Sequence, residues 1–531
     1  MVNLRVLFIG LLYGATSTML QAQAPAIEWQ RCLGGSLYEE SWGVQATADG
    51  GCAVLGSTAS YDGDVSGQHG PPDFWLVKLD AMGQIQWQRC YGGSDADVAT
   101  RLLATSDGGF LMLGSTTSAD GDIECNGFFS HAWALKVDSI GNVQWQTCLA
   151  GDLDGSGADI DQAVETADGG YLAVGGTFAN EGIWQENHGQ SDYFAAKLDG
   201  GGVVEWLHCY GGSGQDEAWA IKATPEGDHV IAGTSASTDG QVTTGSTGQV
   251  WVIKIDTEGN LLWNRRMGGS GGPNMDDSAK DLLVNPDGSI LVVGSTASND
   301  GDVSGNHGNY DVWLVLLDSS GTIQQQRCFG GTGEDQAWSG AVAGQGRFVV
   351  AGYTKSNDGD VSGNHGGNGL DAWVLMVDAD LDLLWQKCLG GSGGDDAYAV
   401  ARNPAGEIFT SGKTYSTDGD VSGLHSPGIQ DIWLVKLFSD LDAGVGELLG
   451  AGQLSTYPSP ATDRVNVVLP TYMQERATLE VLDITGRIVL QRPVEPGMRS
   501  LQIAVEGWAN GVYCLELRTG AGTVIGRFVK Q

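Results

Sequence analysis

The chain has 531 residues, of which 83 are glycine and 41% are hydrophobic, and it carries a formal net charge of −38. That length exceeds one ordinary core, and so much glycine beside ample apolar content indicates a turn-dense β protein rather than a disordered one. The charge excludes nucleic acid and anionic lipid as partners, since both would be repelled. Residues 453–531 hold eight Lys or Arg against seven Asp or Glu, so the acid lies upstream.

At the N-terminus, residues 1–24 place Arg5 ahead of an apolar run from Val6 to Leu12, with small residues at Ala22 and Ala24. This predicts a secretory signal peptide, with cleavage after Ala22 or Ala24, the latter hindered by Pro25. No later apolar run reaches the ~18 residues that span a bilayer.

Residues 25–438 then repeat one unit seven times. WQRC at 29–32 returns as WQRC (87–90), WQTC (145–148), WLHC (206–209), WNRRM (263–267), QQRC (325–328) and WQKC (385–388). The Cys, or its Met substitute, recurs at spacings of 58, 58, 61, 58, 61 and 60 residues. Each period reads as four short strands, clearest in AWAIKAT (218–224), HVIAGTS (229–235), QVWVIKID (249–256) and NLLWNRR (260–266). Asp-Gly pairs in ADGG (48–51), SDGG (106–109) and ADGG (167–170) predict tight hairpins between first and second strands.

A fourth-type strand occurs before everything else, as IEWQRC (27–32), and none follows residue 438. The expected fold is therefore all-β: a seven-bladed β-propeller closed by the N-terminal strand. Trp42, Trp219 and Trp338 fall in first strands, and six Trp each in third and fourth strands, which predicts packing between sheets rather than a ligand cage. The phased pattern, as in GGSGQDEAWAIKATPEGDHVIAGTSAS (211–237) and VWVIKIDTEGNLLWNRRMGGSG (250–271), resembles the bacterial β-propeller repeats called SBBP. The resemblance spans residues 27–438, implies the fold, and leaves activity open.

Cys32, Cys90, Cys148, Cys209, Cys328 and Cys388 share one strand position in different repeats. Packed sheets lie ~10 Å apart, whereas a bridge needs Cα atoms within ~7 Å, so buried thiols are expected. Cys52, Cys125 and Cys514 show no partner in the sequence.

Between second and third strands lie DGDVSGQHGPPD (62–73), DGDVSGNHGNYD (300–311), DGDVSGNHGGNGLD (358–371) and DGDVSGLHSPGIQD (418–431). Alternating oxygen ligands followed by a Gly begin like an EF-hand loop. The candidate Ca²⁺ ligands are Asp62, Asp64, Ser66 and Asp73; Asp300, Asp302, Ser304 and Asp311; Asp358, Asp360, Ser362 and Asp371; and Asp418, Asp420, Ser422 and Asp431. The last Asp of each set starts a strand, and the competing reading is turn geometry alone, through Asx-type hydrogen bonds. His69, His188, His307, His365 and His425 are expected to be hydrogen-bonded loop residues rather than metal ligands. The links GGSLYEES (34–41), GGSGQDE (211–217), GGTGEDQ (330–336) and GGSGGDD (390–396) share this face, predicting solvated turns on a negative rim. The drifted loop EGIWQENHGQSD (181–192) carries Glu181, Glu186, His188 and Asp192, raw material for a glycosidase-like hydrolase if two carboxylates stand ~5–9.5 Å apart.

Past a Gly-rich linker at 439–453, residues 454–531 read as a small antiparallel β-sandwich. YPSPATDRV (457–465), LDITGRIV (482–489), GVYCLEL (511–517) and RFVKQ (527–531) resemble a type A sorting domain of the type IX secretion system, with Ser459 where that family shows Asn. The resemblance implies the secretion machinery as a partner and export across the outer membrane of a Gram-negative cell. Catalysis needs a unique set of groups, whereas most polar residues here recur in several copies. The expected function is thus a non-enzymatic, secreted or surface-displayed module whose acidic face binds a protein or glycan, assisted by Ca²⁺. The alternatives are a hydrolase or a purely structural envelope protein.

Overall fold

The computed structural model describes residues 24–439, apart from 126–129, 151–156, 243–248, 271–276, 345 and 367–368, and much of 454–530. The predicted signal peptide lies outside the described residues except for Ala24, as does the linker except for Ser439. The chain divides into two compact units, Met1–Leu441 and Asp442–Gln531.

The described residues of the first unit form seven four-stranded antiparallel sheets and one 3-10 turn, Gly182–Trp184. They resemble propeller blades. Six of the sheets run in chain order, as in Glu39–Ala46, Cys52–Thr58, Asp73–Leu79 and Ile85–Tyr91. In the repeat used above to place strands, the observed elements are Asp216–Ala223, His229–Ser235, Val250–Ile255 and Leu261–Met267, each within two residues of expectation. The Asp-Gly hairpins form as their composition dictates, with Gly50, Gly108 and Gly169 at φ of 81°, 83° and 84°.

The seventh sheet lacks a fourth strand of its own, and Ile27–Leu33 supplies it by pairing antiparallel with Asp431–Leu437. Trp433 Nε1 donates to Gln30 Oε1 at 2.8 Å across that pairing. The first strands pack side by side from sheet to sheet, and Asp395–Arg402 of the seventh also packs against Glu39–Ala46 of the first.

Second and third strands are buried on both faces and read as continuous apolar runs, for example DFWLVKL at 73–79. Trp75, Trp133, Trp251, Trp313, Trp373 and Trp433 are fully buried between sheets, as their spacing predicts. Most fourth-strand Trp are half-buried, and so are Trp42, Trp219 and Trp338 in the first strands. Those three form a different kind of cluster, described below.

The cysteine expectation needs one correction. Cys125 and Cys148 form a disulfide, with Cα atoms 5.7 Å apart. The bridge does not cross between sheets. It joins the loop of the second sheet to that sheet's own fourth strand, over which such loops lie, as Gln146 Nε2 donating to Asp122 O shows. Cys32, Cys90, Cys209, Cys328 and Cys388 are buried free thiols, and burial pushes each up to about 12.

The second unit contains a three-stranded sheet (Ser455–Tyr457, Arg464–Val468, Ser500–Ala504) and a four-stranded sheet (Ala477–Asp483, Ile488–Val494, Gly511–Thr519, Gly522–Lys530). Val465, Val467 and Ile503 of the first sheet bury against Leu479, Val481, Leu515 and Phe528 of the second. The predicted YPSPATDRV motif falls largely outside the described residues.

Candidate functional site

The acidic loops are wired to the backbone. Asp62 Oδ1 accepts the Ser36 amide at 2.7 Å, while the Asp64 amide donates to Gly34 O at 2.8 Å. The pattern returns at Asp300, Asp358 and Asp418, which accept amides of Ser270, Thr332 and Ser392 at 2.7–2.8 Å. Asp64, Asp302, Asp360 and Asp420 also accept, at 3.3–3.4 Å, the amides of Gly34, Gly268, Gly330 and Gly390. Ser66, Ser304, Ser362 and Ser422 accept from Gln88, Gln326, Gln386 and Gln30, each in the fourth strand of the same sheet. Each loop thereby straps the link that enters its sheet to the strand that leaves it.

Asp73, Asp311, Asp371 and Asp431 belong to a second network. Each is buried at the start of a third strand and accepts the backbone amide of its loop histidine: His69, His307, His365 and His425. The imidazole Nδ1 lies 2.6–3.0 Å from the same carboxylate. The predicted Ca²⁺ ligands are therefore divided between two sets of partners. Among the described residues no three His, Cys, Asp or Glu side chains converge as a metal-holding group.

The histidines reach onward to the next sheet. His425 Nε2 lies 3.5 Å from Asp64, and His365 Nε2 lies 3.7 Å from Asp420. At the same junctions the sequence expected solvated glycine turns, yet Gly34, Gly92, Gly211, Gly330 and Gly390 are buried. Gly34, Gly92, Gly211 and Gly330 each lie against acids from two sheets. A Cβ on Gly92 would meet Asp97 Oδ2 at 2.5 Å and Asp73 Oδ1 at 2.8 Å, and one on Gly211 would meet Asp192 Oδ1 at 2.4 Å and Asp216 Oδ2 at 2.6 Å. Only glycine fits.

The acids of the links, Glu39, Asp97, Asp216, Asp335 and Asp395, are likewise buried rather than displayed on a rim. Asp335 shows their role: Oδ2 accepts the Gly331 amide at 2.8 Å and the Ser356 hydroxyl at 2.7 Å, while Oδ1 accepts from Thr354. Burial, with the facing Asp73 as a smaller cause, raises Asp97 to about 6. Asp192, Asp311, Asp371 and Asp431 are raised for the same first cause.

The hydrolase candidates fall into the same scheme. Asp192 is buried and paired with His188 at 2.5 Å, whereas Glu186 pairs with His208 at 3.0 Å. Asn187 donates to Thr177 O, as Asn306 does to Thr296 O, so this drifted loop repeats the strap.

The inner strands differ in kind. Each of the seven first strands breaks register at the same position, marking a β-bulge. The bulged residues are Trp42, Thr100, Asp161, Trp219, Lys280, Trp338 and Tyr398. A bulge re-aims a side chain out of the ladder, and here the re-aimed groups meet. Trp42 stacks on Tyr398 at 4.4 Å, and Trp338 stands edge-on to both, at 5.9 and 5.3 Å. Lys280 Nζ sits 3.4 Å from the Trp219 ring centre and 5.1 Å from that of Trp338.

Two residues earlier stand Glu40, Asp159, Glu217 and Asp396, an acidic tier at the loop end of the same strands. Lys413 spans Glu40 and Asp396 at 2.9 and 3.8 Å. Burial, then the charge of Asp159, raises Asp161 to about 8 against the pull of Arg101 and Lys280. The tryptophan repeat suggested core packing for the inner ring as well. The missed signal was its variety: one repeat position holds five residue types, whereas the loop positions hold nearly one.

Beyond the bulges a cavity of about 90 Å³ is lined by Arg101, Gln162, Lys222, Asp281 and Ser339, among others. Asp281 is buried there, accepting the Gly340 amide at 3.1 Å and lying 3.6 Å from Lys222, and those cations hold it below its ordinary value despite burial.

Comparison with known proteins settles the export route. Residues 455–531 match the secretion system C-terminal sorting domain. The chain is an exported β-propeller repeat protein, carried by type IX secretion to the cell surface or the extracellular space. No helix among the described residues is long and apolar enough to cross a membrane. The regulatory protein FlaEY of Caulobacter vibrioides is 26% identical over 64% of this chain and 38% of its own length, so the chain spans under two-fifths of that relative. Among solved structures, Kuenenia stuttgartiensis hydrazine synthase overlaps at a TM-score of 0.41 and 12% identity, over 71% of this chain and 94% of that one. A puromycin hydrolase overlaps at 0.42 and 13%, over 82% and 62%. A quinonprotein alcohol dehydrogenase-like protein of Bacteroides thetaiotaomicron overlaps at 0.37 and 11%, over 68% of each. Likeness at this level carries nothing about activity.

Proposed function

We propose that the seven sheets form a ring closed by the N-terminal strand, and that this ring is a non-enzymatic binding module displayed or released by the secretion route. The pairing of Ile27–Leu33 with the seventh sheet, and the packing of the seventh sheet's first strand on that of the first, support closure. One observation carries the binding reading: seven inner strands bulge at the same residue, which is of five different types, and five of the seven side chains touch one another. Structural repeats keep such positions alike, whereas a ligand site has to break the symmetry. A module of this kind recognises its ligand through the inner ring and its acidic tier, while the loop acids hold the sheets in register. The hydrolase alternative loses ground because Glu186 and Asp192 are each engaged by a different histidine.

The test is the full chain, recombinant and without its leader, on combined protein and glycan arrays. A specific ligand is expected. An array without any ligand, together with turnover of a glycoside or ester panel, would replace the binding module by the enzyme.

A further inference from the structure

The ligand class can be named from the chemistry of the ring, on the reading that the chain is a binding module. Three half-buried tryptophans, Trp42, Trp219 and Trp338, come from the first, fourth and sixth sheets; Trp42 has one face stacked on Tyr398, and Trp219 lies under Lys280. Their contacts leave the ring mixed in polarity. The indole N–H groups of Trp219 and Trp338 are buried without an acceptor. The tier above supplies acceptors, of which Asp159 is exposed and Glu217 half-buried.

Three ligand classes can be weighed against that arrangement. A cationic ligand would suit the aromatic faces and the acids, but Lys280 already lies on Trp219 and would repel a second cation. An anionic ligand would suit Lys280 and the indole donors, yet it must pass Glu40, Asp159, Glu217 and Asp396 on a chain of net charge −38. A neutral polyhydroxylated ligand meets neither objection. Its C–H face stacks on indole, and its hydroxyls donate to Asp159 and Glu217.

We propose that the ring of bulged residues, Trp42 and Trp338 foremost, binds the end of a neutral saccharide, with Glu217 and Asp159 taking its hydroxyl hydrogens. The bulge is the device that turns the ring residues inward, since a regular strand would leave each side chain in the ladder's alternation.

The experiment uses the full chain without its leader on an array of neutral, sialylated, sulfated and amine-bearing glycans, with calorimetric titration of the neutral glycan bound best. Trp42→Ala and Trp338→Ala are expected to weaken that binding at least tenfold. Glu217→Gln, which preserves size, is expected to weaken it about threefold to tenfold and guards against a tryptophan variant that does not fold. Ser66→Ala in a loop should bind as the parent does. Neutral-glycan binding indifferent to all three ring variants would overturn the site while leaving the binding module standing. Ring-dependent binding of charged glycans alone would overturn the saccharide class. A chain that binds neither glycan nor protein on any array would remove the binding module itself.

Discussion

Two sets of residues occupy repeated positions in this protein, the loop acids and the bulged residues of the inner strands, and they have opposite histories written into them. The loop acids Asp62, Asp300, Asp358 and Asp418 accept the same amide in the same way in sheet after sheet. The bulged residues of the inner strands occupy one structural position too, yet they run Trp, Thr, Asp, Trp, Lys, Trp, Tyr. Sameness belongs to the device that every sheet needs, the strap that fixes its link and its neighbour. Variety belongs to the place where the repeats are free to diverge because the backbone already holds without them. An acidic motif copied many times thus reads first as architecture, and the functional signal lies in a position that refuses to repeat.

The sharpest way to break that comparison is to remove the architecture at its seam. Deleting residues 27–33 strips the seventh sheet of its fourth strand, together with Gln30 from Trp433 and Glu28 from Lys436. The expected result is loss of the soluble, cooperatively melting protein, because an unpaired edge remains and Lys436 is left with fewer partners. Size-exclusion chromatography with calorimetry reads it. A monodisperse protein with an unchanged transition would mean that the strand is ornamental and the seam lies elsewhere.

Next in size is the junction acid. Asp335→Ala leaves the Gly331 amide and the Ser356 and Thr354 hydroxyls without their shared acceptor in a buried place. About 3 kcal/mol of destabilisation is expected, against less than about 1 kcal/mol for Thr100→Ala in the inner ring. Urea unfolding of both variants tests the division of labour. Equal losses would dissolve it.

How much of this was legible beforehand follows from how local the cause is. The strands, the Asp-Gly hairpins and the borrowed N-terminal strand depend on alternation and on counting, both of which a single chain displays. The Cys125–Cys148 bridge was not legible, because it depends on a loop lying over its own sheet's outer strand while the spacing argument concerned different sheets. The loop carboxylates were identified as a set, but whether they converge on an ion or divide between amides depends on the path of the link glycines. The burial of Glu39, Asp97 and Asp395 was hidden for the same reason: in sequence they sit among polar residues, and only the neighbouring sheet covers them.

Titration sharpens the comparison at a smaller scale. Asp97 is raised by burial to about 6 from an unfolded value near ~3.9, so the folded protein binds a proton more tightly there. Its contribution is fully present below about pH 4 and is lost as pH rises through about 6. Asp49 and Asp107 are opposite: despite some burial, hydrogen bonds and the buried Lys78 and Lys136 lower them to about 2, so their contribution holds above about pH 4 and is lost as pH falls through about 2. Stability should therefore peak at about pH 4. Asp97→Asn should flatten the fall between about pH 4 and pH 7 by about 2 kcal/mol, measured by unfolding at each pH. A maximum at pH 8, unaffected by the substitution, would show that the folded protein does not hold the Asp97 proton more tightly.

The smallest effect decides what the loops are for. Ser66→Ala removes one exposed hydroxyl that accepts from Gln88, and less than about 1 kcal/mol is expected because water replaces the bond. If the loops were cation sites with Ser66 as a ligand, the same substitution would instead weaken Ca²⁺ binding and shift the melting transition only when the ion is present. Melting the parent and the variant with Ca²⁺ and with chelator separates the two. Coincident transitions in all four scans fit a strap made of amides and carboxylates. A parent that gains several degrees with Ca²⁺ while the variant does not would move Asp62, Asp64 and Ser66 from architecture to ligand binding.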